Sequence, residues 1–357
     1  MCGRDEQMRL AMALGYSGGF KEAVRKVQDL EKAGLDIVWI AEAYSHDAIS
    51  QVGYLAAMTE RVHIGTGIVN VYSRSAALMG MTAAGCDFVS DGRFILGLGA
   101  SGPQVIEGFH GIPYEKPMQR IKEYIEVVRM TLRREPLVYD GRTVQLPLPA
   151  GQGTGLGKPL KLINHPVRPD VPIWWASLQG RSVEATAAYA DGWLPVFFEP
   201  EKFQSVWGDD LKKGLAKRDS SLPRLEISAG GMLAIGDDLV GDAQDRVLDA
   251  ARPQTALYWG GMGARDKNFY NDVARRYGYE AEAIEIQDLY LDGHKDEAAA
   301  KVPSSFLRAS HLVGTPGFIR ERLGAFKEAG VTVLNVNPVG PDAVRTVETL
   351  RSLVDDL

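Results

Sequence analysis

The chain has 357 residues, 45% of them apolar and 24% charged, and its 40 Lys and Arg against 46 Asp and Glu leave a net charge of −6. These proportions exclude a disordered chain and supply enough apolar material for a large core. The mild acidic excess argues against a general nucleic-acid or anionic-membrane partner.

Strand-like and helix-like segments alternate along the chain. Met8 to Leu14 is a first apolar run, and an amphipathic stretch from Phe20 to Ala33 ends at Gly34, a helix stop. Asp36 to Ala41 reads as a second strand and Ala48 to Thr59 as a helix. His63 to Asn70 is a third strand, Ser75 to Val89 a helix, and Arg93 to Leu98 a fourth strand. Pro117 to Arg134 is a helix, Pro172 to Ala176 a fifth strand, and Arg181 to Ala190 a helix. Trp193 to Phe198, Leu225 to Ile235 and Val331 to Val336 complete eight strands, with helices over Pro200 to Lys217 and Pro341 to Asp355.

Most of these strands are apolar on both faces, as in a parallel sheet covered by helices. Eight such units spread over the full length predict an α/β protein, a (β/α)8 TIM barrel. Two insertions interrupt it, one after the fourth helix and one after the seventh strand. Residues 135–170 are rich in Gly and Pro, carry a hairpin pattern over Val138 to Val144, and fall on the N-terminal side of the barrel. Residues 241–314 read as mostly helical. They follow the seventh strand, so Tyr258 to Gly263 should emerge over the catalytic face as a cover on the substrate side.

No run approaches the ~18 consecutive apolar residues of a membrane span, and Met1 to Met8 lacks the apolar stretch of a secretory signal. Cys2 and Cys86, the two cysteines, read as free structural thiols. A cytoplasmic protein is expected.

Several motifs tempt and fail. Gly97 to Gly102 fits G-x-G-x-x-G after a strand, but the dinucleotide reading needs a full helix, a second strand and an acid about 20 residues on. A glycine turn that lets a ligand approach the backbone fits better. Gly151 to Lys158 imitates a phosphate loop, with Pro159 where Ser or Thr is required. The six histidines show no H-x-x-x-H or H-E-x-x-H spacing, so no metal site is expected, and no G-x-S-x-G elbow occurs.

Function in a barrel collects where strands end. Those junctions are Glu42 to Asp47, Thr66 to Arg74, Gly97 to Gly102, Ala176 to Ser182 and Phe197 to Glu199. The backbone N–H groups of Gly180, Arg181 and Ser182 open a helix, a geometry that binds phosphate; an ordinary cap from Ser177 or Gln179 is the alternative. Polar Asn70, Tyr72, Ser73 and Arg74 follow an apolar strand and fit either a binding turn or a helix entry capped by Ser73 or Ser75. Glu42 closes an apolar strand, either as a half-buried functional carboxylate or in a rim ion pair with Arg74. Trp39, Trp174 and Trp175 read as core or rim packing.

Together these segments resemble the luciferase-like family of flavin and deazaflavin oxidoreductases, and its coenzyme F420-dependent branch in particular. The residues that carry the resemblance are Trp39 to Glu42, Gly65 to Arg74, Ser90 to Gly99, Pro172 to Ala176, Ala190 to Trp193, Gly314 to Pro316 and Phe326 to Val331. It runs from Met8 to the C-terminus and implies a single domain over residues 1–357.

The resemblance implies a cofactor ring across the top of the barrel and a non-proline cis peptide at Gly67–Ile68, with Ile68 against one ring face and substrate on the other. It places Glu42 near the ring and Asn70, Ser73 and Arg74 in a polar turn beside it. Ala176, Ser177, Gly180, Arg181 and Ser182 match the loop near the phosphate. The full cofactor set expected adds Tyr16, Thr66, Gly67, Ile68, Gly99, Ala100, Ser101 and Leu178. Sugar dehydrogenases of the family carry His directly after the acid, and this chain has Ala43. Glu42, Tyr44 and His46 are therefore the candidates for catalytic proton transfer. The leading expectation is an F420-dependent oxidoreductase that moves hydride to or from a small organic substrate. An FMN-dependent monooxygenase and a barrel that binds a cofactor or metabolite without turnover are the alternatives. Family members are often dimers or larger, so a homodimer or higher homo-oligomer is expected.

Overall fold

The computed structural model describes residues 7–16 and 18–357, so Cys2 lies outside the described residues. Its strands in chain order are β1 (Arg9–Leu14), β2 (Ile37–Ile40), β3 (His63–Thr66), β4 (Val69–Asn70), β5 (Phe94–Gly99), β6 (Tyr139–Asp140), β7 (Gln145–Leu146), β8 (Ile173–Trp175), β9 (Gly192–Trp193), β10 (Glu226–Ile235), β11 (Leu312–Gly314) and β12 (Val333–Pro338). β12, β1, β2, β3, β5, β8, β9 and β10 pair in that order, every pair parallel, and β10 returns to β12. The result is a closed (β/α)8 barrel, as the two-sided apolar strands imply.

Side chains alternate across each strand. Leu10, Met12, Val38, Ile40, Ile64 and Phe94 join the large core beneath the helices. Ala11, Ile37, Trp39, Ile95, Trp174 and Val333 form a second, separate cluster inside the barrel. Its two indoles sit 5.2 Å apart, and glycine makes room for them. A Cβ on Gly65 would stand 2.2 Å from the Trp39 ring, and one on Gly192 would stand 2.1 Å from the Trp174 ring. Trp39 donates from Nε1 to Asn335 Oδ1 at 3.1 Å, and the Ser228 hydroxyl donates to the same oxygen at 3.0 Å. The interior is thus packed and satisfied, and ligand chemistry is left to the rim.

Residues 135–170 hold the β6–β7 hairpin, which pairs Tyr139 with Leu146 and Asp140 with Gln145. Buried Glu123, on the helix Pro117–Leu132, accepts from the backbone N–H groups of Arg142, Thr143 and Val144 at 2.7, 2.8 and 2.9 Å. The second insertion is helical, as expected. Its end differs from expectation: Leu312–Gly314 forms β11 and pairs parallel with Leu233, Ala234 and Ile235. β10 is ten residues long, and its last three residues make this extra ladder while Leu233 still pairs with Pro338 of β12. Three apolar residues between helical patterns gave no strand signal in sequence. Cys86 is free and buried, and burial pushes its thiol up to about 12, which makes it unreactive. Among the described residues no helix is long and apolar enough to cross a membrane.

Candidate functional site

The third barrel strand breaks at the rim. Gly65 pairs with Ile95 and Val69 pairs with Leu98, so residues 66–68 stand opposite only 96–97. One extra residue makes this a β-bulge, and the Gly67–Ile68 peptide inside it is cis. Thr66 holds the gap shut. Its hydroxyl donates to the Gly97 carbonyl and accepts from the Gly97 N–H, both at 2.8 Å. Gly97 has no alternative here, because a Cβ would stand 1.8 Å from the Thr66 carbonyl oxygen. The Ile68 carbonyl accepts from Glu42 N–H at 3.1 Å, and Gly67 donates to Ile40 at 2.7 Å. Gly99 leaves space for Ile68, whose side chain would lie 2.8 Å from a Cβ there. Ile68 is half-buried, whereas Thr66 has no exposed surface.

Beside the bulge, Arg74 grips Glu42 through two nitrogens, at 2.8 and 2.9 Å, and reaches Asp47 at 2.6 Å. Glu42 also accepts from Ala48 N–H at 3.1 Å. The hydrogen bond to Glu42, offset in part by burial, raises the Arg74 guanidinium above its ordinary value. Burial works to raise Asp47, but Ser50 and Arg74 outweigh it and hold this carboxyl below its usual range. Buried Asn70 uses its Oδ1 to accept from Tyr72 and Ser73 N–H at 3.0 and 2.8 Å. The polar turn is therefore built by Asn70 and closed by Arg74. Tyr44 and His46 stand exposed on the same loop as Glu42.

The loop after β8 enters the helix Gly180–Tyr189 with no side-chain cap. The barrel helices Ala48–Met58, Ala76–Val89 and Pro316–Glu328 are capped by Asp47, Ser75 and Thr315, whereas Phe20–Lys32 and Pro117–Leu132 also lack a side-chain cap. Ser182 and Val183 donate to the Gln179 carbonyl, which leaves the Gly180 and Arg181 N–H groups free for a ligand. Gln179 Nε2 is buried there without a partner. Two indoles fix the loop from behind: Trp193 donates to Ser177 O at 2.9 Å and Trp207 to Leu178 O at 2.8 Å. The Ser177 hydroxyl bonds Thr186 at 2.7 Å inside the fold. One acid stands close, since the Asp210 carboxylate would lie 2.7 Å from a Cβ on Gly180. The uncapped end, the adjacent Arg181 and the orphaned amide of Gln179 fit a phosphate group.

Aromatic rings surround the rim. Tyr16 follows β1, Tyr44 follows β2, and Tyr72 and Tyr114 stack at 5.5 Å beyond β4 and β5. Tyr114 donates to the carbonyl of Ser101, a residue at φ 59°, and burial pushes the Tyr114 phenol up to about 12. Phe197, at φ 56° beyond β9, packs on Tyr258 at 5.5 Å and Tyr270 at 6.1 Å. It ties the second insertion to the barrel. Asn268 and Asn271 fix the Tyr258–Trp259 turn by donating to its carbonyls at 2.8–3.0 Å. That turn, Leu257–Gly261, is a π-helix, a form that recurs at functional sites. Glu199 turns away to Lys202 at 3.0 Å, and burial raises its carboxyl. An open cleft of about 760 Å³ lies elsewhere, between the end of β10 and the helix Ala343–Asp355.

The model of the luciferase-like monooxygenase family matches residues 7–333. The chain belongs to this family. A Mycobacterium tuberculosis protein provisionally named a coenzyme F420-dependent oxidoreductase is 36% identical over 348 residues, covering 96% of this chain and 99% of the relative. The 5,10-methylenetetrahydromethanopterin reductase of Archaeoglobus fulgidus is 26% identical and covers 90% of each chain. Among solved structures, the coenzyme F420-dependent tetrahydromethanopterin reductase of Methanopyrus kandleri superposes with a TM-score of 0.80 at 21% identity, covering 98% of this chain and 99% of that one.

Within this luciferase-like barrel, the residues expected at the site fall into three groups. Glu42, Gly67, Ile68, Asn70, Ser73 and Arg74 converge at the bulge. Gly99, Ala100 and Ser101 lie beside it on the next strand end. Ala176, Leu178, Gly180, Arg181 and Ser182 form the uncapped loop. Thr66, Asn70 and Ser177 spend their polar atoms on the protein itself. Asp210, Phe109 and Tyr270 were not singled out by sequence reasoning, and Gln179 was read only as a possible helix cap. Asp210 and Tyr270 lie in helices, Asp209–Leu215 and Phe269–Arg276, and nothing in the sequence marks them off from other helical residues.

Proposed function

We propose that this chain is a coenzyme F420-dependent oxidoreductase that moves hydride between the deazaflavin and a small organic substrate. The observation that carries the choice of cofactor is the 36% identity, over nearly both full lengths, to the mycobacterial relative provisionally named for F420. When bound, the cofactor supplies a two-electron hydride carrier. The protein's task is then placement and exclusion of water.

In this reading the Gly180 and Arg181 N–H groups, the Arg181 side chain and the Gln179 amide hold the phosphate. Gly99, Ala100 and Ser101 line the approach, and Ile68 supports one ring face. Arg74 and Glu42 are positioning residues, because each Glu42 oxygen is already engaged and the carboxylate only accepts. Proton movement falls to Tyr44 at its Oη or to His46 at its imidazole, both on the open loop and within reach of incoming substrate. A fluorescence titration of the purified protein with F420 and, separately, with FMN tests the reading: F420 should bind the more tightly.

The proposed assembly is a homo-oligomer. Leu78, Met81, Phe88 and Val89 are all exposed on the helix Ala76–Val89 and recur at helical spacing on its outward side. An apolar stripe of this kind marks an interaction surface, and a second copy of the chain is the partner we assign to it.

A further inference from the structure

We propose that the substrate side of this site recognises an uncharged, ring-bearing carbonyl compound, through a wall of free phenols contributed by Tyr16, Tyr44, Tyr258 and Tyr270. The inference rests on the oxidoreductase reading for its site and adds the substrate class. These four tyrosines come from three separate places: the loop after β1, the loop after β2, and the second insertion. Tyr258 and Tyr270 meet edge to face at 4.8 Å, and Phe197 joins both rings to the barrel. Tyr44 extends the wall to Phe109, with ring centroids 6.3 Å apart. Tyr16 and Tyr44 remain 61% and 67% exposed, so their rings are presented to the mouth and not absorbed by the core.

Two properties make this wall selective. Among the described residues, none of the four hydroxyls has a hydrogen-bond partner, so each is an uncommitted donor. A carbonyl oxygen is the acceptor such donors fit. The second property is the absence of ionic company at Tyr16, Tyr258 and Tyr270. Besides burial, only other phenols raise these groups: Tyr258 and Tyr44 act on Tyr16, Tyr44 acts on Tyr258, and Tyr258, Tyr16 and Tyr114 act on Tyr270. No Lys, Arg, Asp or Glu contributes at any of the three. An anionic substrate would be desolvated there without a counter-charge, which is costly. A planar ring gains edge and face contacts with the tyrosines instead.

The test uses 2-acetylnaphthalene and 2-naphthoate, which share a ring system and differ in charge, titrated calorimetrically into the purified protein with and without F420. The ketone should bind at least about tenfold more tightly. Tyr258→Ala should weaken the ketone by about tenfold and Tyr258→Phe by less, with F420 binding unchanged. If Tyr258→Ala does not fold, Tyr16→Ala at an exposed position carries the ketone comparison, read on the protein without cofactor. Equal or tighter binding of the carboxylate, or ketone affinity indifferent to the tyrosine variants, overturns the inference. Failure of F420 to bind would sink the cofactor reading alone, because the ketone and carboxylate comparison is read on the protein without cofactor.

Discussion

Arg74 holds Glu42 in a two-point ion pair, at 2.8 and 2.9 Å, with both side chains almost wholly out of solvent. The pair joins the loop after β2 to the turn after β4, and the Glu42 backbone N–H also supports the carbonyl of Ile68. The carboxylate that sequence reading offered as a proton carrier is thus fixed as an acceptor. Arg74→Ala would leave that carboxylate buried and unpaired. We expect a stability loss on the order of 3 kcal/mol by urea denaturation and loss of turnover through misplacement of the bulge. Arg74→Lys should lie between, since an ammonium cannot reproduce the two-point grip. Unchanged stability in Arg74→Ala would contradict the role assigned to the pair.

Gly97 and Thr66 give a second prediction. Gly97→Ala places a Cβ 1.8 Å from a backbone oxygen, so the strand must move. A loss of about 3 kcal/mol or more is expected. Thr66→Val removes both bonds to Gly97 and should cost about 1–3 kcal/mol, with weakened cofactor binding in the variant that still folds. Thermal melts with and without cofactor read both effects.

The uncapped helix gives the third. Arg181→Ala should weaken F420 by about tenfold, a loss that fades at high salt, with no change in melting temperature. Asp210→Asn, which removes the acid next to Gly180, should tighten binding several-fold. Tighter binding after Arg181→Ala would place the phosphate elsewhere.

His311 sets the pH dependence of stability. Its Nδ1 accepts from Met232 N–H at 3.2 Å, its Nε2 is buried without a partner, and burial lowers it to about 4 from 6.5. The unfolded chain therefore binds more protons than the folded one between those values, and stability rises with pH across the window. Full stability is present above about pH 6.5 and falls as pH drops toward 4, by about 3 kcal/mol in all. His311→Gln should flatten this slope. A slope that survives the substitution would have another source.

The apolar stripe on the helix Ala76–Val89 gives a prediction on assembly. Met81→Glu, at an exposed position, should shift the protein toward monomer in light scattering with little change in unfolding midpoint. A wild-type monomer at micromolar concentration would contradict the assignment of a second copy.

The barrel was legible because its strands are apolar on both faces and bounded by glycines. Phe94, Ile95 and Leu96 pack on opposite sides of one strand, and no amphipathic alternative competes. The bulge was legible only by likeness, since nothing in the string Thr66-Gly-Ile68 states that Gly67–Ile68 is cis. The direction of polar side chains was not legible at all. Thr66, Asn70 and Ser177 look like ligand-facing groups in sequence, but each bonds a partner, as near as Asn70 to Tyr72 or as far as Thr66 to Gly97, that only the folded chain brings close. Glu42 and Arg74 are 32 positions apart in the chain, and their pairing was one of two readings the sequence left open. The phenol wall was invisible for the same reason: Phe197 and Tyr258 meet only because the loop after β9 and the insertion after β10 open on one rim.

The most direct measurement is the paired titration of the purified protein with F420 and FMN, followed by cofactor fluorescence. The account predicts clear binding of F420, weaker binding of FMN, and loss of F420 affinity in Arg181→Ala. A preference for FMN, or F420 binding indifferent to Arg181, would contradict it.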